Sequence, residues 1–252
     1  NHVTGPSGRL AVLAAFALAA ALSISEPAGG APASRRPAAP AGGAADLTWS
    51  TFAGGAGRED VYALAIDRGG AVYAGGETTS PGLATAGAPG PTLLGGHDGF
   101  VAALAPDGGS MRFLTYLGGA GRDYVTDLVV DRDGSLLVAG YTNSPDFPVT
   151  AGAYDARHGG EYDGFVARID PAGPRLLAAT YLGGGQNDFA ETVRVDAAGD
   201  VYASGETWST DFPTTPGAFD RAHGGASDMF VVRLDADLQA AGYATLVGGS
   251  GD

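Results

Sequence analysis

The pattern of apolar and polar positions predicts short strands that come in pairs. From Val125 to Asp131, and again from Ser135 to Thr142, the alternation of side chains is typical of β-strands. Between them lies Arg132-Asp133-Gly134, a tight-turn sequence, because glycine readily adopts the positive φ of a hairpin turn. A loop of 20 residues, Asn143 to Tyr162, follows this first hairpin. A second predicted hairpin consists of Asp163–Asp170, Pro171-Ala172-Gly173 and Arg175–Leu182.

A repeat of 64 or 65 residues dominates the chain after residue 46. Three separate markers share this spacing, which makes chance similarity an implausible explanation. The first is a glycine pair, at Gly54-Gly55, Gly118-Gly119, Gly183-Gly184 and Gly248-Gly249. The other two are single aspartates, at Asp67, Asp131 and Asp196 and at Asp98, Asp163 and Asp228.

The repeat predicts an all-β fold built from stacked four-stranded sheets. Two consecutive hairpins form one antiparallel sheet, and both faces of that sheet need cover, which radial stacking of identical sheets provides. We therefore expect a partial β-propeller over residues 47–252, with three full blades and the start of a fourth. The blades would span about 54–117, 118–182 and 183–247. A parallel β-helix is the rival architecture, but its shorter rungs lack paired hairpins.

These units resemble the SBBP repeat, a bacterial β-propeller repeat family. Thr115-Tyr116-Leu117-Gly118-Gly119 is similar to the opening of the family's repeat, and Val195 to Tyr202 is similar to its central hairpin. Ser209 to Phe219 resembles its long loop and Ser227 to Val231 its third strand. The first copy departs from this pattern, with Leu83-Ala84 where the later loops have Phe-Pro. The resemblance implies a secreted or cell-surface propeller and no established activity.

The N-terminal region has the features of an export signal. An unbroken apolar run from Leu10 to Leu22 follows Arg9, and Ala31-Pro32-Ala33 offers small residues at a spacing compatible with cleavage. We predict a signal peptide over 1–33 and an Ala/Pro/Gly linker over 34–46, hence a secreted, periplasmic or cell-surface protein. The run is too short for a comfortable membrane span, which needs about 18–20 residues; a short anchor or a disordered tail is the alternative.

Composition excludes several functional classes. The formal net charge is −14, and the basic residues are all arginine. Because a negative surface repels phosphate backbones, we expect no nucleic-acid partner. The chain has no cysteine, so disulfides, thiolate metal sites and lipoprotein acylation are ruled out.

The long loops hold the candidate ligand-binding residues, because loops of this length inside a compact fold are often functional. We single out six of their residues as candidates: Asn143, Asp146, His158, Trp208, Asp211 and His223. Trp208 could stack on a sugar ring or pack between blades, and the two histidines, in equivalent positions, favour loop capping over metal binding. No motif indicates a catalytic residue, a metal site or a cofactor.

The function most consistent with this pattern is a non-catalytic scaffold that presents its loops to a glycan, a peptide or another protein. A propeller-type enzyme, such as a glycosidase or a polysaccharide lyase, is one alternative, and a structural spacer of a larger surface protein is another. A unique acidic pair in a central pocket would favour the enzyme. Because propellers typically close with 4–8 blades, we expect a fragment of a longer chain rather than an oligomer.

Overall fold

The computed structural model describes residues 49–250, and every regular element among them is a β-strand. The predicted signal peptide and linker lie outside the described residues. No helix in the described part of the chain is long and apolar enough to cross a membrane.

Twelve strands form three sheets of four, which we call the first, second and third blades. The first blade contains β1 (Glu59–Ile66), β2 (Val72–Thr78), β3 (Asp98–Leu104) and β4 (Met111–Leu117). The second contains β5 (Asp123–Val130), β6 (Leu136–Thr142), β7 (Asp163–Asp170) and β8 (Arg175–Leu182). The third contains β9 (Asp188–Val195), β10 (Val201–Thr207), β11 (Asp228–Leu234) and β12 (Ala241–Val247).

Each blade is antiparallel, with its strands hydrogen-bonded in chain order. In the second blade, β7 and β8 have the predicted bounds, and β5 begins two residues before the predicted Val125. The turn between β5 and β6 places Gly134 at a φ of 89°, as its hairpin requires. Paired antiparallel hairpins are the architecture of propeller blades, so the rival parallel β-helix is wrong.

The long loop of each blade pairs with the blade's outer strand. In the second blade, the Thr150 amide donates to the Ala179 carbonyl at 3.1 Å, and the Tyr181 amide donates to the Asp155 carbonyl at 3.0 Å. Equivalent bonds join Thr85 to Leu114, Gly90 to Tyr116, Thr215 to Ala244 and Asp220 to Leu246. The loops therefore satisfy backbone groups that an edge strand would otherwise leave open to aggregation.

Adjacent blades pack through the first strand of the later blade. Val125 and Leu128 of β5 are buried against Gly75 of β2, where a Cβ atom would lie 2.6 Å from Val125 Cγ1. At the next boundary, a Cβ on Gly164 would lie 3.2 Å from the Cβ of Ala190 in β9. Small residues on one blade thus admit apolar side chains of the next, and the core runs across both boundaries.

Candidate binding surface

Five aromatic side chains meet at the end of the blades that carries the long loops. They come from the starts of β5 and β9, from the end of β6, and from loop residues next to β7 and β10. We call them the aromatic patch: Tyr124, Tyr141, Tyr162, Phe189 and Trp208.

The rings of the aromatic patch form a continuous chain of contacts across the second and third blades. Tyr124 stacks on Tyr141 with centroids 4.6 Å apart and planes inclined by 25°. Phe189 meets Tyr141 edge-on at 4.9 Å and Trp208 edge-on at 5.9 Å. All five rings are partly exposed. Edge-to-face and offset contacts are the geometries that aromatic pairs favour, so the rings support one another in a continuous amphipathic surface.

Carboxylates border the aromatic patch. The Trp208 indole donates from Nε1 to Glu206 Oε1 at 3.2 Å. On the first blade, Glu77 is buried, accepts a hydrogen bond from the Tyr62 hydroxyl at 3.0 Å and lies 3.2 Å from His97 Nδ1. Burial, and secondarily this hydrogen bond to Glu77, raises the pKa of Tyr62. Tyr62 therefore stays protonated near neutral pH and is a poor candidate for a nucleophile.

The patch positions differ from blade to blade, unlike the core positions. Tyr141 corresponds to Glu77 and Glu206, and Trp208 corresponds to Thr79 and Asn143. The core positions of Phe100, Phe165 and Phe230 keep the same residue in every copy, whereas Tyr141 and Trp208 stand at positions that are polar in the other two blades. This difference favours recognition over packing for the aromatic patch.

Four of the six predicted site residues form two pairs in which the same residue type stands at equivalent repeat positions. All four side chains contact backbone atoms. Asp146 Oδ1 accepts from the Ala120 amide at 2.9 Å, and Asp211 Oδ1 accepts from the Gly185 amide at 2.8 Å. His158 Nε2 lies 3.2 Å from the Thr142 carbonyl, and His223 Nε2 makes the same contact to Thr207. These contacts tie the loop to the end of the second strand and to the connection between blades.

The remaining two predicted residues occupy equivalent positions and have different surroundings. Asn143 Oδ1 accepts a hydrogen bond from the Arg122 amide, and the Asn143 amide donates to the Arg122 carbonyl at 3.0 Å. Trp208 alone among the six belongs to the aromatic patch. The other four patch residues were not predicted from the sequence, although at each of these positions another copy has a different residue type. Substitutions within the repeat were the signal that could have found them.

A row of buried aspartates lies beneath the loops at the blade boundaries. Asp163 accepts from the amides of Gly159 and Gly160 at 2.7 and 2.9 Å, which caps the end of the long loop. Asp188 accepts from the Gly184 amide and the Ser209 hydroxyl, each at 2.8 Å. Burial raises the pKa of Asp188 to about 6. These buried carboxylates hold the loop residues in place through hydrogen bonds.

The aspartates do not assemble a metal centre in the part of the chain that the structure describes. Residues 49–250 contain no group of three or more histidine, aspartate or glutamate side chains placed to hold a metal ion. The turn Asp131-Arg132-Asp133-Gly134 joins β5 to β6 as a hairpin. Arg168 of β7 donates a hydrogen bond from Nη1 to Asp131 Oδ2 at 2.9 Å.

A family comparison agrees with this architecture. Residues 112–148 match the family model of the SBBP beta-propeller repeat. The chain carries an SBBP repeat. The SBBP match runs from β4 through the first hairpin of the second blade to Pro148 in the long loop.

A curated relative contains a longer stretch similar to this chain. The regulatory protein FlaEY of Caulobacter vibrioides is 27% identical over 222 residues, a stretch that covers 82% of this chain. The aligned region is 22% of the length of that protein.

Proposed function

We propose that this protein is a secreted or cell-surface scaffold of a bacterium, without catalytic activity of its own, that binds a glycan, peptide or protein partner. The aromatic patch carries the proposal. Its five partly exposed rings contact one another, and Tyr141 and Trp208 stand at positions that are polar in the other two blades.

The chemistry of the patch suits a neutral or basic partner. Aromatic faces stack on the apolar faces of sugar rings and on apolar or cationic side chains. Glu206 beside Trp208 adds a hydrogen-bond acceptor, and the net charge of −14 favours basic over acidic ligands. The description of the relative FlaEY as a regulatory protein is compatible with recognition of another protein.

The test is a binding screen of the chain against a glycan array and a peptide library, followed by single substitutions. For a ligand found in the screen, Trp208→Ala and Tyr162→Ala should each weaken binding about tenfold, which corresponds to ~1.4 kcal/mol. Phe219→Ala is the matched control, because Phe219 is 87% exposed and lies outside the patch. A ligand that binds equally well to both patch variants would contradict the proposed site. Failure to bind any ligand would favour a structural spacer.

Export is a separate part of the proposal, and the apolar run from Leu10 to Leu22 supports it. In a bacterial host, the chain should appear outside the cytoplasm with its N-terminal segment removed, as read by fractionation and mass spectrometry. Leu13→Arg, which interrupts the apolar run, should retain the chain in the cytoplasm. Cytoplasmic localisation of the unaltered chain would contradict export.

A further inference from the structure

A recess lies at the outer rim of the boundary between the first and second blades, away from the aromatic patch. It is a cavity of about 210 Å³ with mostly apolar walls. Its lining includes Pro89, Leu94, Tyr116, Pro148, Ile169 and Leu176. Ile169 is fully buried, whereas Leu94 is 59% exposed at the mouth.

The repeat explains why this cavity exists. Pro89 ends the segment Ala86-Gly87-Ala88-Pro89 of the first long loop. The corresponding segments of the second and third loops end in Tyr154 and Phe219. The first blade therefore has a proline where the other two blades have an aromatic side chain.

Tyr154 reveals what occupies the equivalent place at the next boundary. It is partly buried and packs against the core cluster that contains Leu234 and Leu238, and its amide donates to the Leu238 carbonyl at 2.8 Å. Ala241 packs against the same cluster. Leu234 and Ala241 are the counterparts of Ile169 and Leu176, which line the cavity.

We propose that the cavity at the first blade boundary is a receptor site for one aromatic side chain of a peptide partner. Tyr154 shows how an aromatic side chain fits this kind of space, since it fills the equivalent place at the next blade boundary. The volume is adequate, because an apolar cavity of about 150 Å³ holds a benzene ring. This site is continuous with the interface between the blades and is independent of the aromatic patch.

The charge around the cavity selects the residues that flank the aromatic side chain. Asp146 lines the cavity and is exposed, with Oδ1 held by the Ala120 amide at 2.9 Å. Together with the net charge of −14, this carboxylate favours lysine or arginine beside the aromatic residue. The partner is therefore a basic peptide segment with a central tyrosine or phenylalanine.

The probes are the peptide acetyl-Lys-Tyr-Lys-amide and p-cresol, the analogue of the tyrosine side chain. Titrated into the ¹⁵N-labelled chain, both should produce saturable shifts in the backbone amide signals of Leu94 and Leu176. Replacing the peptide's tyrosine by alanine, or its lysines by glutamate, should weaken binding at least fivefold. Absence of saturable shifts at this boundary for both probes would overturn the proposal.

Two variants test the site from the protein side. Pro89→Tyr should fill the cavity from within and abolish the shifts, whereas Pro216→Tyr, at an exposed loop position, should leave them unchanged. Leu94→Lys is the second variant should Pro89→Tyr fail to fold, because Leu94 is exposed and its replacement removes an apolar contact and places at the mouth a positive charge that repels the basic peptide. Unaltered peptide binding by folded Pro89→Tyr, or by Leu94→Lys, would overturn the proposal.

Discussion

At the scale of single residues, the glycine pair at the start of each repeat has a specific steric role. A Cβ atom on Gly118 would lie within 3.0 Å of the Asp123 side chain, and one on Gly183 would lie 2.8 Å from Asp188 Oδ2. Gly183 also faces Asp163, whose Cγ would lie 3.0 Å from that Cβ. The first glycine of the pair is therefore required for space, because buried, hydrogen-bonded carboxylates cannot easily move aside.

Gly183→Ala should destabilise the fold by about 1–3 kcal/mol, since the added methyl group overpacks the space between two buried carboxylates. Chemical denaturation followed by tryptophan fluorescence measures the loss. Gly173→Ala is the control, because nothing lies within 4 Å of its Cβ position and its φ is not in the left-handed region. Equal effects of the two substitutions would refute the steric role.

Buried aspartates at the blade boundaries predict a pH-dependent stability. Burial raises the pKa of both Asp123 and Asp188 from 3.8 to about 6. A carboxyl whose pKa is raised by folding favours the folded state fully below the unfolded pKa and loses that contribution as pH rises through the folded pKa. The stability that these two groups contribute should therefore fall between pH 4 and pH 7.

The measurement is the melting temperature across that range, for the unaltered chain and for Asp123→Asn. The unaltered chain should melt at a higher temperature at pH 5 than at pH 7.5, and the variant should have a shallower slope. Carboxyls such as Asp133 act in the opposite direction but at lower pH, because the hydrogen bond from Ser135 lowers its pKa. An identical slope in Asp123→Asn would exclude Asp123 as a source of the dependence.

At the scale of elements, the long loops have two tasks, which fall on different parts of each loop. Their middle portions pair with the outer strand of the blade, and their starts lie next to the aromatic patch. A 20-residue loop is therefore compatible with a compact blade, because its backbone forms hydrogen bonds with the exposed edge of the outer strand. The same hydrogen bonds fix the conformation of the loop.

Thr150→Val should loosen this pairing in the second blade. The Thr150 hydroxyl accepts from the Ala179 amide at 3.0 Å, and loss of that acceptor should cost about 1 kcal/mol. Hydrogen exchange at the Ala179 amide should accelerate, while the amides of β6 keep their protection. Thr214→Val is the control, because the Thr214 hydroxyl bonds only to exposed Arg221 in the third loop. Unchanged exchange at Ala179 would show that backbone pairing alone holds the loop.

At the scale of the whole molecule, the same repeat position can be exposed in one blade and buried in another. Leu128 of β5 is 3% exposed against the first blade, whereas its counterpart Leu64 of β1 is 61% exposed. Stability in such arrays depends on the interfaces between neighbouring units as much as on the units themselves.

Leu128→Ala should therefore cost about 2–5 kcal/mol, because it leaves a cavity at the blade boundary. Leu64→Ala is the matched control and should change stability by less than about 0.5 kcal/mol. Urea denaturation of both variants measures the difference. Equal losses would mean that the first blade contributes no interface of the kind the structure describes.

The sequence by itself determined the repeat, the strand pairing and the fold class. Alternation and turn glycines are local signals, so β7 and β8 could be predicted to the residue. Local chemistry also predicted the hairpin at Gly134. Of the candidate surface, only Trp208 was predicted, because an isolated tryptophan in a polar loop is conspicuous in a single sequence.

Only the tertiary structure decided which residues act together. Tyr141 and Phe189 are far apart in the chain, and the packing of the second blade on the third brings their rings within 4.9 Å. Likewise, the proline at position 89 acquires meaning only beside Ile169 and Leu176, which line the same cavity. Contacts between blades depend on which face each strand turns toward its neighbour, and periodicity within one strand does not contain that information.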